Sequence, residues 1–119
     1  MRGTTAAFLV GLMLLPAAAT AKTITVRGEG FASCAVWLRE HTARTERQPV
    51  QDSWILGYVV AAAGMLEIPG TEDVSSKFRN AELVAWVDDY CGSHPEEPLI
   101  RAADALMRDL ARRASPGAN

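Results

Sequence analysis

The 119-residue chain has only two cysteines and two histidines, no marked excess of charge of either sign, and no apolar run long enough to span a bilayer stably. Each shortage excludes something. A zinc site needs ligands at short, regular spacings, and neither His41 with His94 nor Cys34 with Cys91 supplies them, so no metal site and no cofactor are expected. No Ser stands in a Gly-x-Ser-x-Gly elbow, and no nucleophile is set beside a base, so no catalytic residue is assigned and the chain reads as a non-enzyme. With 12 Lys and Arg against 14 Asp and Glu, the formal net charge of −2 argues against nucleic acid or an anionic membrane as partner. Repeats and low-complexity blocks are missing as well.

The N-terminus has the layout of a signal peptide: Arg2, the apolar stretch Ala6 to Leu15, Pro16, and the small residues Ala19-Thr20-Ala21. Residues 1–21 are therefore predicted to be cleaved before Lys22, with Ala18 and Thr20 as neighbouring alternatives. The run is shorter than the roughly 20 residues that a stable anchor needs. No cysteine follows the cleavage point to take a lipid, so the expected location is the periplasm or the cell exterior. Losing Arg2 makes the mature chain one unit more acidic. What remains fits one domain with a modest core that gains from a covalent staple. An even pair of cysteines in an oxidising compartment predicts one disulfide, Cys34 to Cys91.

Along the mature chain, residues 22–30 read as an extended arm, ended by Gly28 and Gly30. From Phe31 the spacing becomes helical. Cys34, Trp37, Leu38 and His41 form one stripe behind a cap at Ser33, and the polar stretch Thr42 to Gln48 closes at Pro49. Trp54 to Leu66 carries no charge and is apolar all round, which predicts a central helix. Gly57, Ala61 and Gly64 lie together on it, where another helix backbone could approach closely. Ile68-Pro69-Gly70 stops this helix, a polar connection runs through Thr71 to Arg79, and Asn80 is the expected cap of a third. There Leu83, Trp86, Val87, Tyr90 and Cys91 line one side, and Glu82, Asp88 and Asp89 face away. A fourth helix starts near Pro98 and buries Leu99, Ala103, Leu106, Met107 and Leu110. Arg108, Arg112 and Arg113 crowd its C-terminal end, where the helix dipole favours cations. Residues 31–114 thus read as an all-α, four-helix single-core domain with one disulfide, and 115–119 as a disordered tail.

His41 is expected to be a partly buried, hydrogen-bonded residue and Trp37, Trp54 and Trp86 to be core. The acidic residues Glu72, Asp73, Asp88, Asp89, Glu96 and Glu97 are candidates for the rim of a protein-binding surface, since neighbours on a helix point in different directions and form no acid/base dyad. Long polar connections often carry function, so the connection holding Glu72 and Asp73 is the candidate inserting element.

Gly57-Tyr58-Val59, then Leu83-Val84 through Tyr90, His94-Pro95-Glu96 and Ala102-Ala103-Asp104-Ala105-Leu106, resemble the pattern of the Rap1a/Tai family of type VI secretion immunity proteins. The resemblance covers about Ser33 to Leu110. It implies an exported helical protein that sequesters a secreted effector. Family members usually carry a Cys just before the Gly-Tyr pair, where Ile55 and Leu56 stand here, and often a Pro-Cys near the C-terminus, which is missing. The architecture is also similar to that of the HdeA acid-stress chaperones, which implies acid activation as an alternative. Monomer and homodimer both stay open at this point.

Overall fold

The computed structural model describes residues 23–65 and 75–114, which form four helices around one core: α1 Cys34–Ala43, α2 Gln48–Met65, α3 Asn80–Ser93 and α4 Leu99–Ala114. The expected leader (1–21), Glu72 and Asp73, and the tail 115–119 lie outside the described residues. No described helix is long and apolar enough to cross a membrane.

The arm is shorter than expected. Thr23 to Arg27 have no regular structure, and Gly28–Phe31 already form a 3-10 turn. Both glycines serve that turn. Gly28 takes φ +65°, a left-handed conformation that suits a residue without Cβ. At Gly30 a Cβ would fall 2.5 Å from the Trp54 ring and 2.6 Å from Val26, so the backbone lies flat on the indole. Trp54 Nε1 in turn donates to the Arg27 carbonyl at 3.2 Å.

α1 begins as its sequence indicates, with the Ser33 hydroxyl accepting from Val36 N at 3.3 Å. It ends at Arg44, whose left-handed φ of 52° lets its N–H reach the carbonyls of Glu40 and His41. α2 then starts at Gln48 instead of after Pro49. Gln48 N bonds to Thr45 O and Gln51 N to Arg47 O. Proline is tolerated in a first helical turn because the N–H it lacks has no partner there anyway.

α2 is not buried all round. Its buried stripe is Gln51, Ile55, Val59 and Ala63, while α4 buries Leu99, Ala102, Ala103, Leu106, Met107 and Leu110. An unbroken apolar sequence has no phase, so it marks a helix without saying which side turns inward. Every residue of the expected α4 stripe is buried, and Ala102 joins them. In α3, Leu83, Val87 and Cys91 are fully inside, with Trp86 and Tyr90 half-buried against the core. Asn80 is the first helical residue and not the cap. The start is held instead by the Glu82 carboxylate, which accepts from Arg79 N at 2.7 Å.

Trp37, Ile55 and Leu99 are the largest fully enclosed apolar side chains, each worth about 2 kcal/mol of burial. Cys34 and Cys91 are bonded to each other with their Cα atoms 4.8 Å apart, and they close a loop with a sequence separation of 57. In the chain-entropy description a loop of that length stabilises by about 4 kcal/mol. The double variant Cys34→Ala/Cys91→Ala is expected to lose about 3 to 4 kcal/mol in urea unfolding. A loss below about 1 kcal/mol would show that the noncovalent contacts alone hold α1 to α3.

Candidate functional site

The six acidic residues expected at a binding rim do not behave alike. Glu72 and Asp73 lie outside the described residues. Asp89 and Glu96 are exposed with no bonded partner among the described residues, as a rim requires. Asp88 and Glu97 do not face away. Asp88 accepts a 2.6 Å bond from the indole N–H of fully buried Trp37, and Glu97 accepts one of 2.6 Å from the Tyr90 hydroxyl. A helical stripe says which side a carboxylate leaves from. It does not show that an indole on another helix waits there.

The same pairing recurs between the other helices. Tyr58 on α2 donates to Asp104 on α4, and Trp86 on α3 donates to Asp109 on α4 at 3.1 Å. Burial and then the bond to Asp104 push the Tyr58 hydroxyl up to about 12. The bond to Glu97 and then burial raise that of Tyr90. Burial alone would raise the Asp109 carboxyl, but the bonds from Arg112, Arg113 and Trp86 outweigh it and hold the group below its ordinary 3.8. Glu40, 8% exposed, is held low by the Thr45 hydroxyl and then by Arg39.

His41 is nearly enclosed and stacks on Trp37 with ring centroids 3.8 Å apart. Its Nδ1 lies 2.8 Å from the Trp37 carbonyl and its Nε2 2.6 Å from Asp52 Oδ1. Both neighbours are acceptors, so each ring nitrogen faces an oxygen. The pair joins α1 to α2. It has the form of a structural tie, with no group beside it that a base would activate. Among the described residues no group of three or more potential ligands could hold a metal ion.

The feature that leaves the fold unfinished is the outer side of α2. Val50, Ser53, Gly57, Val60, Ala61, Gly64 and Met65 are exposed on the face away from the buried stripe, with Val60 at 67% and Met65 at 83%. Asp52 is the helix's single charged residue, and it is held by His41. A Cβ placed on Gly57 or Gly64 would meet nothing within 4 Å. The close helix approach expected at these small residues is thus not made within the described residues.

No family pattern, no curated protein and no solved structure matches this chain.

The two kinds of carboxylate separate by mutation. Asp88→Ala leaves the buried Trp37 N–H without its acceptor and is expected to cost about 1 to 3 kcal/mol in urea unfolding. Asp89→Ala and Glu96→Ala are expected to change stability by less than about 0.5 kcal/mol. Equal losses at all three positions would contradict the assignment of Asp88 to the fold.

Proposed function

We propose that this chain is an exported, non-catalytic binding protein that sequesters a protein partner, in the manner of the Rap1a/Tai immunity proteins it resembles. The observation that carries the reading is the exposed, uncharged outer face of α2. Contiguous exposed apolar surface with a polar surround is what protein partners cover. Val60 and Met65 supply apolar contact, and the small residues between them admit a partner's backbone. A secreted effector acting on the cell envelope is the partner class that the family resemblance implies. A frame closed by a disulfide suits such a role, because a preformed surface spends little of its binding energy on ordering itself.

The test is capture from periplasmic extract with the oxidised mature chain as bait. One stoichiometric partner is expected. Val60→Glu is expected to abolish its capture while the urea midpoint stays unchanged, since Val60 packs against little within the chain. Undiminished capture by this variant removes α2 from the interface. The absence of any stoichiometric partner removes the binding reading itself.

A second reading, acid activation as in the HdeA chaperones, is favoured by one specific observation: the four helix-to-helix ties just described, Trp37 to Asp88, His41 to Asp52, Tyr58 to Asp104 and Trp86 to Asp109, all end on carboxylates. The Asp109 carboxyl lies below its ordinary value in the folded chain, so its contribution is complete above about pH 4 and fades as the pH falls through that lowered value. Stability is therefore expected to begin to drop as the pH falls below about 4. Under this reading the chain suppresses aggregation of an unrelated client near pH 2 and not at neutral pH. Failure at both excludes it.

A further inference from the structure

The stacked rings of Trp86, Tyr90 and His94 run along α3 at four-residue spacing, with centroids 5.6 Å and 4.1 Å apart. Beside them on α4 runs a second stripe, Arg101, Ala105, Arg108 and Arg112, at the three- and four-residue spacings that share a helix face. Between the two stripes lies an open groove of about 480 Å³, lined by Trp86, Tyr90, Ala105, Arg108, Ala111 and Arg112. That is within the roughly 300 to 1,000 Å³ of ordinary ligand sites.

The charges around the groove are unevenly satisfied. Three acidic side chains of these elements already have donors: Glu97 from Tyr90, Asp104 from Tyr58, and Asp109 from Trp86, Arg112 and Arg113. Arg101 and Arg108 have no carboxylate within ion-pair distance among the described residues, although both act on the Tyr90 hydroxyl. The aromatic wall is also fixed in place, because the Trp86 indole is tied to Asp109 and Tyr90 to Glu97. The groove therefore offers a rigid apolar wall, a small-residue floor and the Arg108 guanidinium, with Arg101 outside the lining but close enough to act on Tyr90.

We propose that this groove binds an acidic peptide segment, with an apolar side chain against Trp86 and Tyr90 and carboxylates on Arg101 and Arg108. Charge complementarity decides the class. The cationic region is local on a chain of net charge −2, which suits one or two carboxylates and disfavours a long polyanion. The two arginines are seven residues apart, about 10 Å along the helix, which a peptide in the polyproline II conformation, with three residues per turn, matches with carboxylates three residues apart on one face. The site is separate from the outer face of α2, and neither result below bears on that surface.

The experiment is an NMR titration of the oxidised mature chain with acetyl-Asp-Leu-Ala-Glu-amide. Expected are shifts at the Trp86 indole N–H and along residues 101–112, with binding weakened roughly tenfold when Asn and Gln replace the two acids in the peptide. Arg108→Gln is expected to weaken binding by roughly tenfold with the fold unchanged, because that side chain has no partner to lose. Equal binding of the amide peptide, or shifts that avoid the groove, overturns the proposal. So does a heparin hexasaccharide that binds the same residues more tightly than the peptide and loses that binding in Arg108→Gln.

Discussion

The first turn of an α-helix presents backbone N–H groups that the helix itself cannot satisfy, and the way α1 meets that demand organises the rest of the molecule. Cys34 N bonds to the Glu97 carbonyl and Ala35 N to that of Pro95, both at 2.8 Å. The Ser33 hydroxyl takes Val36 N. In return, the Ala32 carbonyl accepts Leu99 N, the first N–H of α4, at 2.8 Å, and Ser33 bridges Pro98. The turn between α3 and α4 thus serves as the cap of α1, and the Cys34–Cys91 bond locks the same junction one helical turn away. Three helix ends meet there, so the direction in which each leaves the junction is set before any side chain packs.

Away from the junction, the helices are tied through the polar tips of aromatic rings. Trp37, Tyr58 and Trp86 each place most of the ring against apolar neighbours and deliver one N–H or O–H to a carboxylate on a different helix. This arrangement answers two costs together. The ring removes apolar area from water, and the donor that would be expensive to bury alone meets a charged acceptor, which makes the stronger kind of hydrogen bond. Using carboxylates for this purpose takes them off the surface. Arg112 and Arg113 still share Asp109 with Trp86, while Arg101 and Arg108 have no carboxylate within ion-pair distance among the described residues, and that imbalance makes the groove between α3 and α4 locally positive.

What could be read from the sequence follows from where each signal resides. α4 and α3 alternate apolar and charged residues at helical spacing, so their inward faces are visible in the order of residues, and a lone pair of cysteines leaves one possible pairing. The Ser33 cap is equally local. The orientation of α2 was hidden because apolar residues stand on all sides of it; its buried stripe even includes Gln51, fully enclosed, whose amide donates to Glu29. Asp88 was misread for a different reason. Its partner Trp37 is 51 residues away, and nothing in local spacing distinguishes a carboxylate that meets water from one that meets an indole. The groove was missed likewise, since Arg108 and Arg112 have a sufficient local explanation in the helix dipole, and only the fold sets them beside Trp86 and Tyr90.

The glycines of α2 sharpen the distinction between what the fold needs and what it does not. Gly in a helix interior costs roughly 1 kcal/mol relative to Ala, through the extra backbone freedom given up on folding. At Gly28 and Gly30 glycine has a structural return: a left-handed φ at one, a ring lying on the backbone at the other. At Gly57 and Gly64 there is none, because a methyl group at either would point into open space. Replacement by Ala would improve the helix and displace nothing described. Two such residues beside exposed Val60 lower the stability of α2 without any compensating contact among the described residues. A backbone that approaches α2 closely is the kind of contact for which a missing Cβ matters.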